Sequence, residues 1–156
     1  MTRCRNSISD VPGLAVGHAH DSKALTGVTV VLPEKPVVAA VDVRGGGPGT
    51  RETDAIGLAG TVDHVHGIVL SGGSAFGLSA ASGVQAFLAK QGKGFAVAGV
   101  HVPIVPQAIL FDLVNGGDLS AAQDPQLYER LEGYKKRSSP IKTCWRKNSD
   151  KGIRKC

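Results

Sequence analysis

The residues best placed for chemistry surround Ser74, in the segment LSGGSAFGLSAASGV at 70–84. A serine on a sharp turn between a strand and a helix can act as a nucleophile, and the pattern for that turn is G-x-S-x-G. Gly72 fits the pattern, but Phe76 stands where the second glycine is needed. The phosphate-cradling patterns G-x-G-x-x-G and G-x-x-x-x-G-K-[ST] do not fit either. The spacing therefore favours Ser74 as a residue that only forms part of a wall of the fold. It does not favour Ser74 as a nucleophile or as a phosphate-binding residue.

Two histidine pairs stand beside aspartates and have metal-ligand chemistry. His18 and His20 precede Asp21, and DHVH at 63–66 holds the other pair. Alternate residues of a strand point the same way, so each pair has two aligned ligands. A metal site needs a third ligand, which the sequence does not indicate. Surface or turn histidines with local hydrogen bonds are the simpler interpretation, and we predict no metal site.

Composition indicates one domain with tight turns. The chain has 156 residues, 42% of them hydrophobic, with 21 glycines and only 4% aromatic residues, which is enough for a single core. No apolar run approaches the length of a membrane span, and the basic N-terminus lacks the apolar centre of a signal peptide. Three cysteines, at positions 4, 144 and 156, fit no zinc or disulfide pattern. We therefore expect a cytoplasmic protein without a membrane segment.

The formal net charge of +5 is unevenly distributed. Residues 1–118 contain eight Lys and Arg against nine Asp and Glu, whereas residues 119–156 contain ten against four. We therefore divide the chain into a folded part, 1–118, and an irregular basic tail, 119–156. The tail is typical of a disordered segment. A shifted reading frame and nonspecific nucleic-acid binding are the alternatives, and nucleic-acid binding is the less favoured.

Apolar runs and turn residues predict an α/β fold. Strands are expected at 28–32, at 37–43 and within HGIVL at 66–70, with a short extended piece at 14–16 and further apolar segments at 95–99 and 107–113. The segment 37–43 is apolar enough to be covered on both faces. The short PEKP spacer before it suits an antiparallel return from 28–32.

A helix is expected over 74–90. One face of it would carry Phe76, Ala80, Val84, Phe87 and Leu88. Gly77 and Gly83 each cost a helix about 1 kcal/mol relative to alanine, which indicates close packing against a neighbouring element. The GKG sequence at 92–94 is expected to end the helix.

Several blocks, in order, resemble a known family. These blocks are DVPGLAVGHAHD, TGVTVVLP, AAVDVRGGGPGTRETD, GIVLSGGSAFGLSAASGV and GFAVAGVHVPIVPQAILFDLVNGGD. They are similar to the N-terminal half of the L-aminopeptidase/D-esterase family (P1 family peptidases), which includes β-peptidyl aminopeptidases and nylon-oligomer hydrolases. The likeness covers residues 8–118.

The resemblance implies a fold and a reaction. The fold would be half of a four-layer αββα sandwich, and the family forms oligomers. Its members cleave themselves to expose a Ser or Thr nucleophile at the start of a β-chain, where the α-amine serves as base. They hydrolyse N-terminal amide or ester bonds of small peptide, amide or ester substrates without a cofactor.

The nucleophile segment of the family lies beyond the end of this likeness. The resemblance therefore implies a truncated or frameshifted member, inactive alone, with no catalytic residue in this chain and a need for a homo-oligomer partner or a missing β-chain. KNSD at 147–150 is only a superficial echo of the N-[ST]-T cleavage junction. The alternative is a non-catalytic protein that binds a partner through an exposed apolar sheet face.

By resemblance, five residues would contact substrate: Phe111, Ser74, Phe76, Arg51 and Glu52. Ser74 would line a pocket or satisfy the first helical turn, and Phe76 would pack beside it. Phe111 stands where some members have a tyrosine, so the substrate-facing hydroxyl is absent here. Arg51, Glu52 and Asp54 belong to the RGGGPGTRETD loop at the site entrance, where ordinary loop salt bridges are the favoured alternative.

Overall fold

The computed structural model describes residues 7–128. Its strands are β1 (Leu14–Asp21), β2 (Thr26–Pro33), β3 (Thr50–Arg51), β4 (Ile68–Ser71), β5 (Phe95–Val97), β6 (Val100–Val102) and β7 (Gln107–Ile109). Five of them form one mixed sheet in the order β1-β2-β4-β7-β3, while β5 and β6 form a separate hairpin. The β4–β7 pair is parallel and the other pairs are antiparallel. The predicted α/β class is confirmed.

Helical structure is brief. The helices with described bounds are α1 (Ala80–Ala89) and α2 (Leu119–Ala122), with 3-10 segments at Ile8–Asp10, Asp54–Ile56 and Ser74–Ser79, and residues 125–128 are also helical. The helix expected over 74–90 is therefore 3-10 in its first part and α-helical afterwards. At its end, Gly92 has a left-handed backbone with φ of 67°. The N–H of Gly92 donates to Ala89 (2.9 Å) and that of Lys93 to Leu88 (3.1 Å), which is the Schellman arrangement and confirms the predicted stop.

One face of the sheet packs on α1. The buried core includes Val28 and Val30 of β2, Val69 of β4, and Val84 and Leu88 of α1. These β2 residues alternate with half-buried ones, as a strand covered on one face requires. Apolar residues of the sheet and of α1 bury one another, and this burial is the main stabilising contribution to the described fold.

The other face of the sheet is open. His18 pairs with Thr29, Thr29 with Leu70, and Leu70 with Ala108, so these residues form one row across four strands. Leu70, at the centre of the row, is 50% exposed. Within residues 7–128, the sheet therefore has a helical layer on one side only.

The strand predicted at 37–43 is wrong. Val37 makes an isolated bridge to Val65, with N–H to carbonyl distances of 3.1 and 2.8 Å, but the following residues pair with no strand, and Val38 is 76% exposed. The predicted return onto β2 cannot form because β1 and β4 already occupy both edges of β2. A β-branched composition favours a strand only where a partner has a free edge.

Core packing continues beyond Asp118. The Asp118 carboxylate accepts from the N–H groups of Ser120 (3.0 Å) and Ala121 (3.2 Å) and so caps α2. Leu127 and Tyr128 are buried in the core. Positions 129–156, the basic part of the predicted tail, lie outside the described residues. No helix in residues 7–128 is long and apolar enough to cross a membrane.

Candidate functional site

The turn at 71–74 joins the end of β4 to the 3-10 segment. Gly73 and Ser74 both have left-handed backbones, with φ of 81° and 51°. The Ser74 N–H donates to the Leu110 carbonyl (3.0 Å), and the Leu110 N–H donates to the Ser71 carbonyl (2.8 Å). Because β4 and β7 run parallel, the turn and the residues after β7 meet at the same end of the sheet. These two bonds connect them directly.

The carboxylate of Asp112 holds this turn in place through two hydrogen bonds. One oxygen, Oδ1, accepts from the Gly73 N–H at 2.6 Å, and the other, Oδ2, accepts from the Thr26 hydroxyl at 2.7 Å. Hydrogen bonds to an ionised carboxylate are stronger than neutral ones. Asp112 thus holds three segments together: the start of β2, the turn after β4 and the residues after β7.

The side chain of Tyr128 packs against the same turn. A Cβ on Gly73 would overlap its phenol oxygen, so the turn and the ring touch. The hydroxyl donates to the Ala122 carbonyl at 2.8 Å. Burial raises the pKa of Tyr128. A hydrogen bond with Thr26 lowers this pKa in part, and the negative charge of Asp112 raises it further. The phenol therefore remains a neutral donor beside the Asp112 carboxylate.

A buried polar cluster lies behind the turn. The Gln107 amide nitrogen donates to the Ser71 hydroxyl (2.8 Å) and the Gly77 carbonyl (2.7 Å), and its oxygen accepts from the Ala81 N–H (3.3 Å). Gln107 is only 2% exposed, so these bonds replace water that it has lost. The cluster ties β7 to β4 and to the first turn of α1. Sequence reasoning missed it, although a glutamine inside an apolar strand was the available signal.

Arg51 and Glu52 bind α1 instead of facing outward. Arg51 donates to the Ser82 hydroxyl (2.8 Å) and to the side-chain amide oxygen Oε1 of Gln85 (2.7 Å). Glu52 accepts from the Gln85 amide nitrogen (2.9 Å) and from the Val105 N–H (2.7 Å). Both side chains thus anchor the entrance loop through one glutamine. Within residues 7–128, Asp42 forms an ion pair with Arg44, and an Asp63 oxygen lies 2.7 Å from His64 Nδ1.

Three of the five expected site residues lie at the turn end of the sheet. Phe111 is 65% exposed, Phe76 is 37% exposed and Ser74 is half-buried. Gly73, not Ser74, occupies the cap position of the 3-10 segment, and no side chain caps it. The hydrogen bond that Ser74 makes within residues 7–128 comes from its backbone N–H. This end of the sheet therefore offers an apolar rim and a hydroxyl held by a rigid turn.

The histidines make local contacts. His18 Nδ1 lies 2.8 Å from the Thr29 hydroxyl, and His64 Nδ1 lies 2.7 Å from an Asp63 oxygen, which lowers the pKa of Asp63. His66 is buried, and its Nδ1 accepts from the Ile104 N–H at 3.2 Å. Burial lowers the pKa of His66, more than its backbone hydrogen bonds raise it. The folded protein therefore holds this ring neutral.

Acidification should weaken the fold through His66. The unfolded chain binds a proton near the ordinary value of 6.5, whereas the folded chain binds it only at lower pH. The contribution of His66 to the free energy of unfolding should therefore fall as pH drops below that value, by up to about 1.4 kcal/mol per pH unit, and become constant below the lowered pKa. Urea unfolding, repeated at several pH values above and below 6.5, measures this pH dependence of the free energy of unfolding. His66→Gln should flatten the profile, and His20→Gln should keep it; equal profiles for wild type and His66→Gln would refute the assignment.

Comparison with known proteins identifies the family. Residues 6–126 match peptidase family S58. An uncharacterized aminopeptidase of Mycobacterium tuberculosis is 50% identical over 120 residues, which are 72% of this chain and 35% of that protein. One from Mycobacterium leprae is 49% identical over 124 residues, 74% of this chain and 34% of that protein. A 6-aminohexanoate-oligomer endohydrolase of Kocuria sp. is 38% identical over 106 residues, 66% of this chain and 26% of that protein.

The chain spans about a third of the length of the mycobacterial relatives that it matches. The family match itself covers well over half of this chain. The resemblance recognised in the sequence is thereby confirmed, and the chain belongs to peptidase family S58.

Proposed function

We propose that this chain forms one wall of the active site in a self-processing serine- or threonine-type aminopeptidase or amidohydrolase. The reaction would be hydrolysis of an N-terminal amide or ester bond in a small substrate. The observation that carries the proposal is the 71–74 turn, which Asp112 fixes while Ser74, Phe76 and Phe111 remain accessible beside it. Membership of a peptidase family and relatives named aminopeptidase and oligomer endohydrolase support it.

The wall needs a nucleophile from elsewhere. A serine hydroxyl is a weak nucleophile until a neighbouring base removes its proton. The Ser74 backbone N–H donates to Leu110 while its hydroxyl has no hydrogen bond within residues 7–128, and the Asp112 oxygens are occupied by Gly73 and Thr26. We therefore assign Ser74 to substrate contact and the chemistry to a complementary part of the protein. By itself the chain is then inactive.

The open sheet face offers a place for that complementary part. The row containing Leu70 and Ala108 is apolar at its centre and exposed. Exposed apolar surface of this kind marks a binding site for another protein surface. A partner-binding function is therefore the second candidate. It is compatible with the first if the partner carries the nucleophile, in a cytoplasmic homo-oligomer or as a β-chain.

Incubation of the purified chain with p-nitroanilides of small amino acids tests the assignment, with intact mass spectrometry of the same sample. We expect no release of p-nitroaniline and a single uncut mass, because the hydroxyl of Ser74 has no hydrogen-bonded base among residues 7–128. Turnover abolished by Ser74→Ala would make Ser74 the nucleophile and overturn the proposal. Turnover with a mass pair indicating cleavage before Ser149, outside the described residues, would overturn it in a different way.

A further inference from the structure

A second cleft, of about 290 Å³, lies at the other end of the sheet. Its lining includes Pro33 at the end of β2, Glu34 after it, His66 shortly before β4, Lys93 after α1 and His101 of β6. The 71–74 turn follows the last residue of β4, whereas this cleft precedes its first. The four-residue strand thus separates the two places by about 13 Å at 3.3 Å per residue.

The cleft carries opposite charges that do not neutralise each other. Glu34 and Lys93 both line it, yet neither takes part in the ion pairs found within residues 7–128. Their backbones are held in place, because the Glu34 N–H donates to Gly13 (2.8 Å) and the Lys93 N–H donates to Leu88 (3.1 Å). A carboxylate and an ammonium group are thus presented on fixed backbone positions, without a charged partner among residues 7–128.

The two histidines of the cleft differ in environment. His66 is buried and its Nδ1 already accepts from Ile104, so it forms a neutral part of the floor. His101 is exposed on β6, and its ring can donate a hydrogen bond to an anionic group near Lys93. The charged groups of the cleft, on the exposed residues Glu34 and Lys93, therefore lie at its rim.

We propose that this cleft binds a small zwitterion of the α-amino acid class. Glu34 would receive the ammonium group, and Lys93, with His101, the carboxylate. A zwitterion pairs both charges, whereas a singly charged molecule leaves one of them without a partner. The volume suits a ligand smaller than a drug, because sites for drug-sized ligands span about 300–1,000 Å³ and this cleft, at about 290 Å³, lies just below that range. The proposal does not depend on the catalytic assignment.

Titration of the full chain with L-alanine, followed by two-dimensional NMR, tests it. Alaninamide, which keeps only the ammonium group, and propionate, which keeps only the carboxylate, are the matched probes. We expect L-alanine to shift the amide signals of Gly94 and His101 and to bind at least about tenfold more tightly than either probe, a difference of about 1.4 kcal/mol.

Substitutions separate the two charged contacts. Glu34→Gln and Lys93→Met should each weaken L-alanine binding by about tenfold. Lys90→Met is the control, because Lys90 is an exposed lysine that does not line the cleft. This variant should bind L-alanine as wild type does. The NMR spectra themselves report whether each variant is folded. The proposal is overturned if L-alanine shifts no cleft signals, if the three probes bind equally, or if only one of the two substitutions weakens binding.

Discussion

Gly77→Ala should lower the free energy of unfolding by about 3 kcal/mol or more. A Cβ at this position would overlap the Gly72 carbonyl oxygen and would lie 2.8 Å from the Ser71 hydroxyl. The overlapping atom belongs to the backbone of the site turn, so it cannot move without displacing that turn. Intrinsic preference for helical structure favours alanine by about 1 kcal/mol, but overpacking of this kind costs more. Urea unfolding followed by circular dichroism measures the difference.

Gly46→Ala is the matched control for this substitution. No atom lies within 4 Å of a Cβ built at Gly46, and its backbone is not left-handed. Its unfolding free energy should stay within about 0.5 kcal/mol of wild type. If Gly77→Ala behaved like Gly46→Ala, the turn would have room that the structure does not show, and the close packing of 72–77 would be wrong.

Removal of the Asp112 carboxylate should have the second large effect. In Asp112→Ala, the Gly73 N–H and the Thr26 hydroxyl lose an acceptor at 2.6 and 2.7 Å. Both donors sit in buried residues, and each unsatisfied buried group costs about 1–3 kcal/mol. We expect a loss of about 3 kcal/mol in the free energy of unfolding, measured by the same urea titration.

Asp112→Asn distinguishes hydrogen bonding from simple loss of volume. The asparagine oxygen can accept from Gly73, and its amide nitrogen can donate to the Thr26 oxygen, so most of the stability should remain, with a loss of about 1 kcal/mol. If the alanine and asparagine variants lost the same amount, Asp112 would not hold the turn through these two bonds.

Local sequence signals predicted the elements that depend on local information. β2 and β4 are apolar runs ended by turn residues, and the Gly92 stop of α1 needs only a left-handed backbone. β3, at Thr50–Arg51, has no apolar run and was missed. The segment 37–43 was overpredicted, because its composition does not reveal that β2 has no free edge.

The candidate site was harder to predict because its contacts are distant in sequence. Asp112 meets Gly73 across 39 positions and Thr26 across 86, and no spacing rule connects them. The family resemblance found the turn and its exposed rim. It also grouped Arg51 and Glu52 with the substrate contacts, which stays a prediction, and it gave no sign that Gln85 binds both side chains.

The 86-position separation between Thr26 and Asp112 also bears on the order in which the molecule is assembled. A contact of this span closes a long loop, and the entropy of that closure must be overcome before the bond stabilises anything. During synthesis, β1 and β2 can pair as soon as they leave the ribosome, but the turn after β4 lacks its acceptor until Asp112 has emerged. The hairpin can therefore form early in translation, whereas the turn at 71–74 can be fixed only after Asp112 has been made.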